Sequence, residues 1–374
     1  MNIALAEMRR RRGRWLSIVG AVAFIVFLVL VLAALADGLF IGTTGALATG
    51  DSDALVYSID GRRSLVRSEL PVSAMAEVSA VPGVADVGAL GVLLSTGVAG
   101  AEPFDAAVIG HIPGHAGEPT KLVEGRRPQV GEPGVVLADS SLHADGVSLG
   151  DLVTIVGSAQ SLQVVGFVEE SQYLLARSLW VPLETWQALR AEVRPETARI
   201  GSVAQAFPIV VDEGVDVATV ATVIDDALAT TETVTTDEAV LSLPGVEQQQ
   251  ATFRAIIAAS FVVVALVIAL FFALITLEKR GQLAILKAIG SPNALLLQGV
   301  LIQALIATTA GYVGGFVLAR LLGFMLPATV PVAFLPASAV SLFLATVAMG
   351  GLGAAFSFRR VIQIDPASAL GGEA

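Results

Sequence analysis

The sequence predicts a membrane α-helical protein: four transmembrane helices carrying one large α+β domain in water. Three observations predict it. First, 55% of the 374 residues are hydrophobic and only 15% are charged, whereas about a quarter of a soluble domain is charged; the mean hydropathy is +0.77. Second, four stretches stay apolar for about the 20 residues that a helix needs to cross a bilayer. Third, the charges are segregated. Between Asp51 and Glu247 lie 28 acidic and 10 basic residues, while the other basic residues gather near the ends of the apolar stretches.

The elements follow in order. Residues 1–14 hold Arg9, Arg10, Arg11, Arg12 and Arg14, ahead of a first span at 15–42 whose run Trp15–Ala36 carries no charge. Ala34-Leu35-Ala36 looks like a signal-peptidase site, but the apolar run exceeds the roughly 7–15 residues of a signal-peptide core, so an uncleaved anchor is expected. The second span is 251–277, bracketed by Arg254 and Glu278. A loop at 278–293 leads to the third span, 294–322, and the fourth is 336–358, with a tail at 359–374. Basic residues favour the cytoplasmic side of a span. The arginines before the first span, Lys279, Arg280 and Lys287 after the second, and Arg359 and Arg360 after the fourth share one side only if both termini and the 278–293 loop are cytoplasmic. Residues 43–250 then lie outside the cell membrane.

Within 43–250, strands are expected at Ala54–Ile59, Val84–Ser95, Phe104–Ile109, Phe207–Val211 and Thr231–Thr235, and helices at Val72–Ala80 and Val217–Leu228. Such βαβ-type halves can combine into one sheet with helices on one face. Residues 122–189, with short strands at Gly134–Leu137, Leu152–Val156, Ser161–Val168 and Leu179–Val181 between glycine and proline turns, read as a small β-rich insertion.

Several chemistries are excluded. With no cysteine there is no disulfide, thiolate metal site or cysteine nucleophile. There is no Gly-x-x-x-x-Gly-Lys-[Ser/Thr] phosphate loop, no His-Glu-x-x-His and no Gly-x-Ser-x-Gly. The acidic domain disfavours nucleic acid as a partner. His111 and His115 are separated by Pro113-Gly114, which breaks any helix that would align them, so they are expected at the solvated surface, with no metal site.

The loop Glu278-Lys279-Arg280-Gly281-Gln282-Leu283-Ala284-Ile285-Leu286-Lys287-Ala288-Ile289-Gly290 is the most informative stretch. Leu283, Leu286 and Ile289 recur at helical spacing, Gly290 suits a helix end, and Ser291-Pro292 suits the start of the next. This describes either a charged amphipathic helix that fits a groove on a cytosolic partner or a plain hairpin loop with basic anchors.

Leu286-Lys287-Ala288-Ile289-Gly290-Ser291, running into Gln298–Ala304 and the glycines of the third span, resembles the permease core shared by the FtsX and MacB families. Ile3 to Arg10 resembles their amphipathic leading helix, and Ile364-Asp365-Pro366-Ala367-Ser368-Ala369-Leu370 their Asp-Pro-x-x-Ala-Leu tail. Leu122-x-Glu124-Gly125-Arg126, Gly146-Val147-x-Leu149-Gly150-Asp151 and Val164-Val165-Gly166 resemble the β-rich insertion of the MacB-type outer domain. Ala54–Ser58, Ser64–Ser68 and Leu179–Gln187 resemble the DevC and HrtB branch.

The resemblance implies a non-catalytic permease subunit of an ABC-type exporter, a homodimer in the plasma membrane working with two cytosolic ATPase subunits. ATP and magnesium would sit on the ATPase, and no permanently bound cofactor is implied. Arg280, Leu283, Leu286, Lys287 and Gly290 would form the coupling loop, and nucleotide-driven closure would be transmitted to the outer domain rather than open a pore. The HrtB branch implies an amphiphilic cargo such as haem, drawn from membrane lipid. The alternatives are an FtsX-like signal transmitter that activates an extracellular cell-wall hydrolase, and a lipoprotein-releasing permease.

Candidate substrate contacts are the ionisable groups at the outer rim, where charge is costly and functional by default. Asp37 ends the first span and Arg320 the third, so the two could pair or simply reach water. Glu247 and Arg254 flank the start of the second span. Tyr173-Leu174-Leu175 reads as an apolar tip able to dip into the outer leaflet, or as a minor packing contact. Gly311 and Gly315 form a Gly-x-x-x-Gly pair for close helix packing, within the chain or between two copies.

Overall fold

A computed structural model of the protein describes residues 12–100, 102–199, 201–278, 292–327 and 330–362, together with Gly281, Ile285 and Ile289. Among these the helices are α1 (Arg12–Ala48), α2 (Met75–Ser79), α3 (Leu183–Val193), α4 (Val217–Ala227), α5 (Thr236–Leu241), α6 (Val246–Glu278), α7 (Asn293–Met325) and α8 (Pro336–Ile362). The strands are β1 (Ala54–Ser58), β2 (Leu70–Pro71), β3 (Val84–Val87), β4 (Leu90–Ala99), β5 (Glu102–His111), β6 (Leu122–Gly125), β7 (Val135–Asp139), β8 (Leu152–Ile155), β9 (Ser161–Val168), β10 (Arg177–Pro182), β11 (Val203–Ala204), β12 (Phe207–Val211) and β13 (Thr231–Thr235). The chain divides into two compact units: Met1–Gly38 with Ala251–Ala374, and Leu39–Gln250.

The first unit is the membrane bundle. Its helices hold four stretches long and apolar enough to span a bilayer: Trp15–Ala48, Val246–Ile275, Leu297–Met325 and Pro336–Phe356. Their shared core includes Trp15, Val22, Val26, Leu30, Ile268, Phe272 and Ala307. Glycines set the distances. A Cβ on Gly311 would strike the Val22 side chain, and one on Gly315 would stand 2.7 Å from Ala23 O and 2.9 Å from Phe27 N, so the pair seats α7 on the backbone of α1. Likewise, a Cβ on Gly353 of α8 would stand 3.1 Å from both Ala265 O and Ala269 N of α6. Thr308 and Thr346 return their hydroxyls to Ala304 O and Leu342 O of their own helices, which leaves no hydroxyl hydrogen idle in an apolar setting. Val262, Val263, Leu266, Leu270 and Leu274 of α6 are exposed and form a face fit for lipid.

Helix ends differ from expectation where tertiary contacts extend them. The first helix continues past residue 42 to Ala48, because Ala46 N and the carbonyls of Gly42 and Thr43 find partners in residues 172–175. Pro292 is extended (φ −68°, ψ 141°), so α7 begins on Asn293 and the proline stands just before it.

The second unit is α+β. Its four-stranded antiparallel sheet runs β13-β1-β12-β3. A seven-stranded sheet runs β6-β9-β7-β10-β5-β4-β8, and β8 also pairs with β9, so six of its strands close into a ring. Closure removes the open edges that would otherwise invite pairing with another chain. Two expectations are corrected here. The single strand expected over Val84–Ser95 is two strands in two different sheets. They part at Gly88, whose Cα lies so close to Ala116 O that no side chain fits. Residues 122–189 do not stand as a separate insertion either: the long hairpin β4–β5, turned at Gly100 with φ +74°, supplies two strands of their ring. β1 and β3 of the first half and β12 and β13 of the second do combine into one sheet as expected, while β4 and β5 leave it for the ring.

Helix α3 plugs the ring. Trp186 is fully buried, and its indole lies where Cβ atoms at Gly91 of β4 and Gly110 of β5 would stand. Trp186→Ala should destabilise the outer unit by about 3–5 kcal/mol, the usual cost of deleting a buried tryptophan. Calorimetry of the full chain in detergent micelles checks this, and an unchanged transition would refute the plug.

Candidate functional site

One end of the membrane bundle holds two of the candidate groups, Asp37 and Arg320. The connection after α7 is laid over α1. Ala333 N donates to Ala34 O at 2.9 Å, and Gly38 lies so close beneath Pro331 that a Cβ would overlap its carbonyl. Asp37, one residue earlier, is half-buried and accepts a hydrogen bond from the Ser338 hydroxyl in the first turn of α8. Beside it is a crevice of about 10 Å³, lined by Ala33, Ala34, Phe334 and Leu342 among others. That is space for a single water.

Arg320 does not pair with Asp37. Its guanidinium lies 5.4 Å from the centroid of Phe324, one turn further along α7, and 5.1 Å from that of Phe334 in the connection. Both distances are within the reach of cation–π attraction. Gly323 makes this possible: a Cβ there would stand 2.9 Å from the Phe334 ring edge. Among the described residues, Arg320 has no carboxylate partner. A cleft of about 300 Å³ opens beside it, lined by Arg320, Gly323, Phe324, Leu326, Pro327, Val330, Val332 and Phe334. Phe324, which lines the cleft, is 77% exposed. One cation in an apolar, aromatic hollow can hold an anion that carries a hydrophobic body. Tyr312 braces the same end of the bundle, donating its hydroxyl to Ala339 O at 2.5 Å and meeting Phe343 edge-on at 5.1 Å.

The other candidates fall elsewhere. Arg254 is exposed on α6 in the membrane unit, and Glu247 is exposed at the start of that helix in the outer unit. Tyr173 is only 2% exposed and belongs to an apolar cluster with Leu47, Leu55 and Trp180. The expected tip is therefore a packed turn. Leu174 N and Leu175 N donate to Thr43 O and Gly42 O, which folds the segment onto the end of α1 and leaves only Leu175 exposed. Burial pushes the Tyr173 hydroxyl above the ordinary tyrosine range. Arg280, Leu283, Leu286, Lys287 and Gly290 lie outside the described residues. Of their loop, Ile285 and Ile289 are exposed and joined by a helical hydrogen bond of 3.0 Å, Ile289 N to Ile285 O.

His111 overturns the surface expectation. It ends β5 fully buried against Trp180, with Nδ1 3.1 Å from Val181 O, a bond in which the ring must donate. Nε2 faces Glu118 Oε1 at 3.8 Å, and neither atom has a hydrogen-bond partner. The other Glu118 oxygen pairs with Arg127 at 2.5 Å and accepts from Gly114 N. Only His115 is as exposed as expected, paired with Asp86 at 2.8 Å. Sequence reasoning missed the His111–Glu118–Arg127 chain and the aromatic partners of Arg320. The Arg320/Phe324 spacing of four on a helix was an available signal; Phe334, brought in by a connection, had none. No group of three or more His, Asp or Glu fit for a metal occurs among the described residues.

Burial pushes the Glu118 carboxyl up, but the facing imidazole and the Arg127 charge outweigh it and hold the group below its ordinary 4.5. A depressed carboxylate stabilises the fold fully above its ordinary range, and that stability is lost as pH falls through the folded-state value. Glu118→Gln should therefore lower the melting temperature at neutral pH, with the deficit closing as pH drops below 4.5. Melting curves from pH 7 to 3 check it; a deficit independent of pH would contradict the charged network.

Residues 254–366 match the family model described as FtsX-like permease C-terminal. A Staphylococcus haemolyticus protein named as a hemin transport system permease, HrtB, is 25% identical over 252 residues, 67% of each chain. An uncharacterized ABC transporter permease of Mycobacterium tuberculosis is 26% identical over 375 residues, 99% of each chain. Among solved structures, the periplasmic region of MacB from Actinobacillus actinomycetemcomitans is 17% identical and covers 51% of this chain and 91% of its own, with a TM-score of 0.39.

Proposed function

We propose that this chain, an ABC transporter permease whose residues 254–366 form an FtsX-like permease domain, is the membrane subunit of an exporter that clears an amphiphile from the outer leaflet. The observation that carries the reading is the outer rim of the bundle. Asp37 and Arg320 stand there in apolar surroundings, where ionisable groups are costly and serve ligands or coupling. The chain has no phosphate-binding loop of its own, so ATP hydrolysis belongs to a separate cytosolic ATPase, with ATP and magnesium bound there. Two copies of this chain work with two ATPase subunits. The loop 278–293 receives the closure of the ATPase, and the motion passes along the helices to the outer unit instead of opening a pore. Haem is the cargo that the name of the staphylococcal relative supports. Both termini and the coupling loop face the cytosol, and the outer unit faces away from it.

Reconstitution with the partner ATPase in proteoliposomes tests the reading. ATP should deplete haem or a hydrophobic dye from the leaflet on the outer-unit side, and the depletion should stop without the ATPase. Leu286→Asp puts a charge at one of the regularly spaced apolar positions of the coupling loop. It should leave the protein in the membrane and ATP hydrolysis running while export is lost. Unchanged export at equal protein levels would remove the coupling role.

Orientation has its own test. Protease added to intact spheroplasts should cut within residues 43–250 and spare both tails; protection of the middle with cleavage of the tails would reverse the topology.

A further inference from the structure

We infer that the cleft beside Arg320 is the seat of the cargo's head group, and that the cargo is therefore an anionic amphiphile carrying a carboxylate or phosphate on an apolar body. The inference rests on the export reading above and deepens it by naming the substrate class. Three features of the cleft carry it. Arg320 is a permanent cation whose neighbours are the π faces of Phe324 and Phe334, with no carboxylate partner among the described residues. Cation–π attraction to the two rings draws the guanidinium to this wall, and its N–H donors suit a planar or tetrahedral anion, because arginine can bind two oxygens at once. The hollow beside it, about 300 Å³, lies at the small end of the range for ligand pockets; its other lining side chains, among them the exposed Phe324, are apolar. A head group fits such a volume while the tail stays in lipid.

The walls also argue for a built site rather than a lone arginine reaching for water. A snorkelling arginine needs only a flexible stem and open solvent. Here Gly323 is left bare so that Phe334 can lie against α7, and the segment carrying Phe334 is tied to α1 through Ala333 N and Ala34 O. Asp37 does not line this cleft; it lies at the separate crevice beside Ser338. The local charge of the cleft is positive, which selects anions and rejects cationic or neutral amphiphiles of equal hydrophobicity.

The full chain in phosphatidylcholine nanodiscs, without ATPase or ATP, tests this by equilibrium binding of radiolabelled oleate, oleyl alcohol and oleylamine. Oleate should bind saturably and about tenfold more tightly than either other probe, the ratio expected if one charge contact contributes about 1.4 kcal/mol. Arg320→Gln should erase that preference. Arg320→Lys should retain part of it, since the charge survives but the planar fork does not. Phe334→Leu should weaken oleate binding while leaving the melting temperature within a few degrees. Equal binding of the three probes by the wild type, or oleate binding unaffected by Arg320→Gln, overturns the inference. Loss of oleate binding when phosphatidylglycerol replaces part of the phosphatidylcholine would assign the cleft to resident phospholipid and overturn it as well. The assay needs no transport, so its failure and that of the export reading are separable. Selective binding without export removes the export reading alone, and export indifferent to Arg320 removes the cleft alone.

Discussion

In hydrocarbon, an apolar side chain gains nothing by exchanging lipid for another helix, so helix association depends on how closely backbones approach. The membrane unit is organised by that constraint. Gly311 and Gly315 seat α7 so close to α1 that an added Cβ would collide, with the Val22 side chain for the first and with Ala23 O and Phe27 N for the second, and Gly353 brings α8 comparably close to α6. Each contact also fixes which residues sit opposite each other further along. Once α7 lies on α1 at Gly311 and Gly315, the next turns of α7 deliver Arg320, Gly323 and Phe324 to the end of the bundle where α1 presents Ala34, Asp37 and Gly38. The connection between α7 and α8 then has a glycine from each helix to lie on: Gly38 under Pro331 and Gly323 under Phe334. The rim chemistry is thus a consequence of helix spacing.

The outer unit solves a different problem, that of burying polar groups at a strand end. Closing β9-β7-β10-β5-β4-β8 into a ring satisfies strand edges but turns the end of β5 inward, and His111 goes with it. A buried imidazole needs partners on both nitrogens. Here Nδ1 has a backbone carbonyl of β10, while Nε2 only faces, at 3.8 Å, a carboxylate held by Arg127 and the Gly114 amide. Such a network destabilises when any one member is removed, because the remaining charge is left without compensation in a site of low polarity. That accounts for a His–Glu–Arg trio on a segment that otherwise looks like a surface loop rich in glycine and proline.

Much of the architecture was legible in the sequence because it follows from local periodicity. The four apolar stretches, the strands at Ala54–Ser58, Phe207–Val211 and Thr231–Thr235 and the amphipathic helix at Val217–Ala227 are all readable from runs of residues. What could not be read is what depends on partners distant in sequence. Val84–Ser95 has one continuous apolar pattern, yet Gly88 divides it between two sheets because Ala116 O passes directly over that position. Tyr173-Leu174-Leu175 looks like an exposed apolar tip until the end of α1 accepts its amides. Asp37 and Arg320 were both placed at the rim by counting residues along spans. Their separation, one to Ser338 and the other to two phenylalanines, was set by a connection whose course no periodicity encodes.

The rim and the bundle are mechanically one object, and this constrains how a cargo site there could respond to motion below. The wall of the Arg320 cleft is carried by residues 330–334, tied to α1 by the amide of Ala333 on the carbonyl of Ala34, while Arg320 and Phe324 ride on α7. A shift of α7 along α1 by a fraction of a helical turn would move the cation and one ring while the second ring stayed with α1. The cation–π distances of 5.1 and 5.4 Å leave little slack, since the attraction weakens beyond about 6 Å. Packing interfaces between helices favour discrete arrangements over continuous sliding. The cleft would therefore be either assembled or broken by such a step, rather than gradually loosened. In this structure it is assembled, with both rings within reach of one guanidinium.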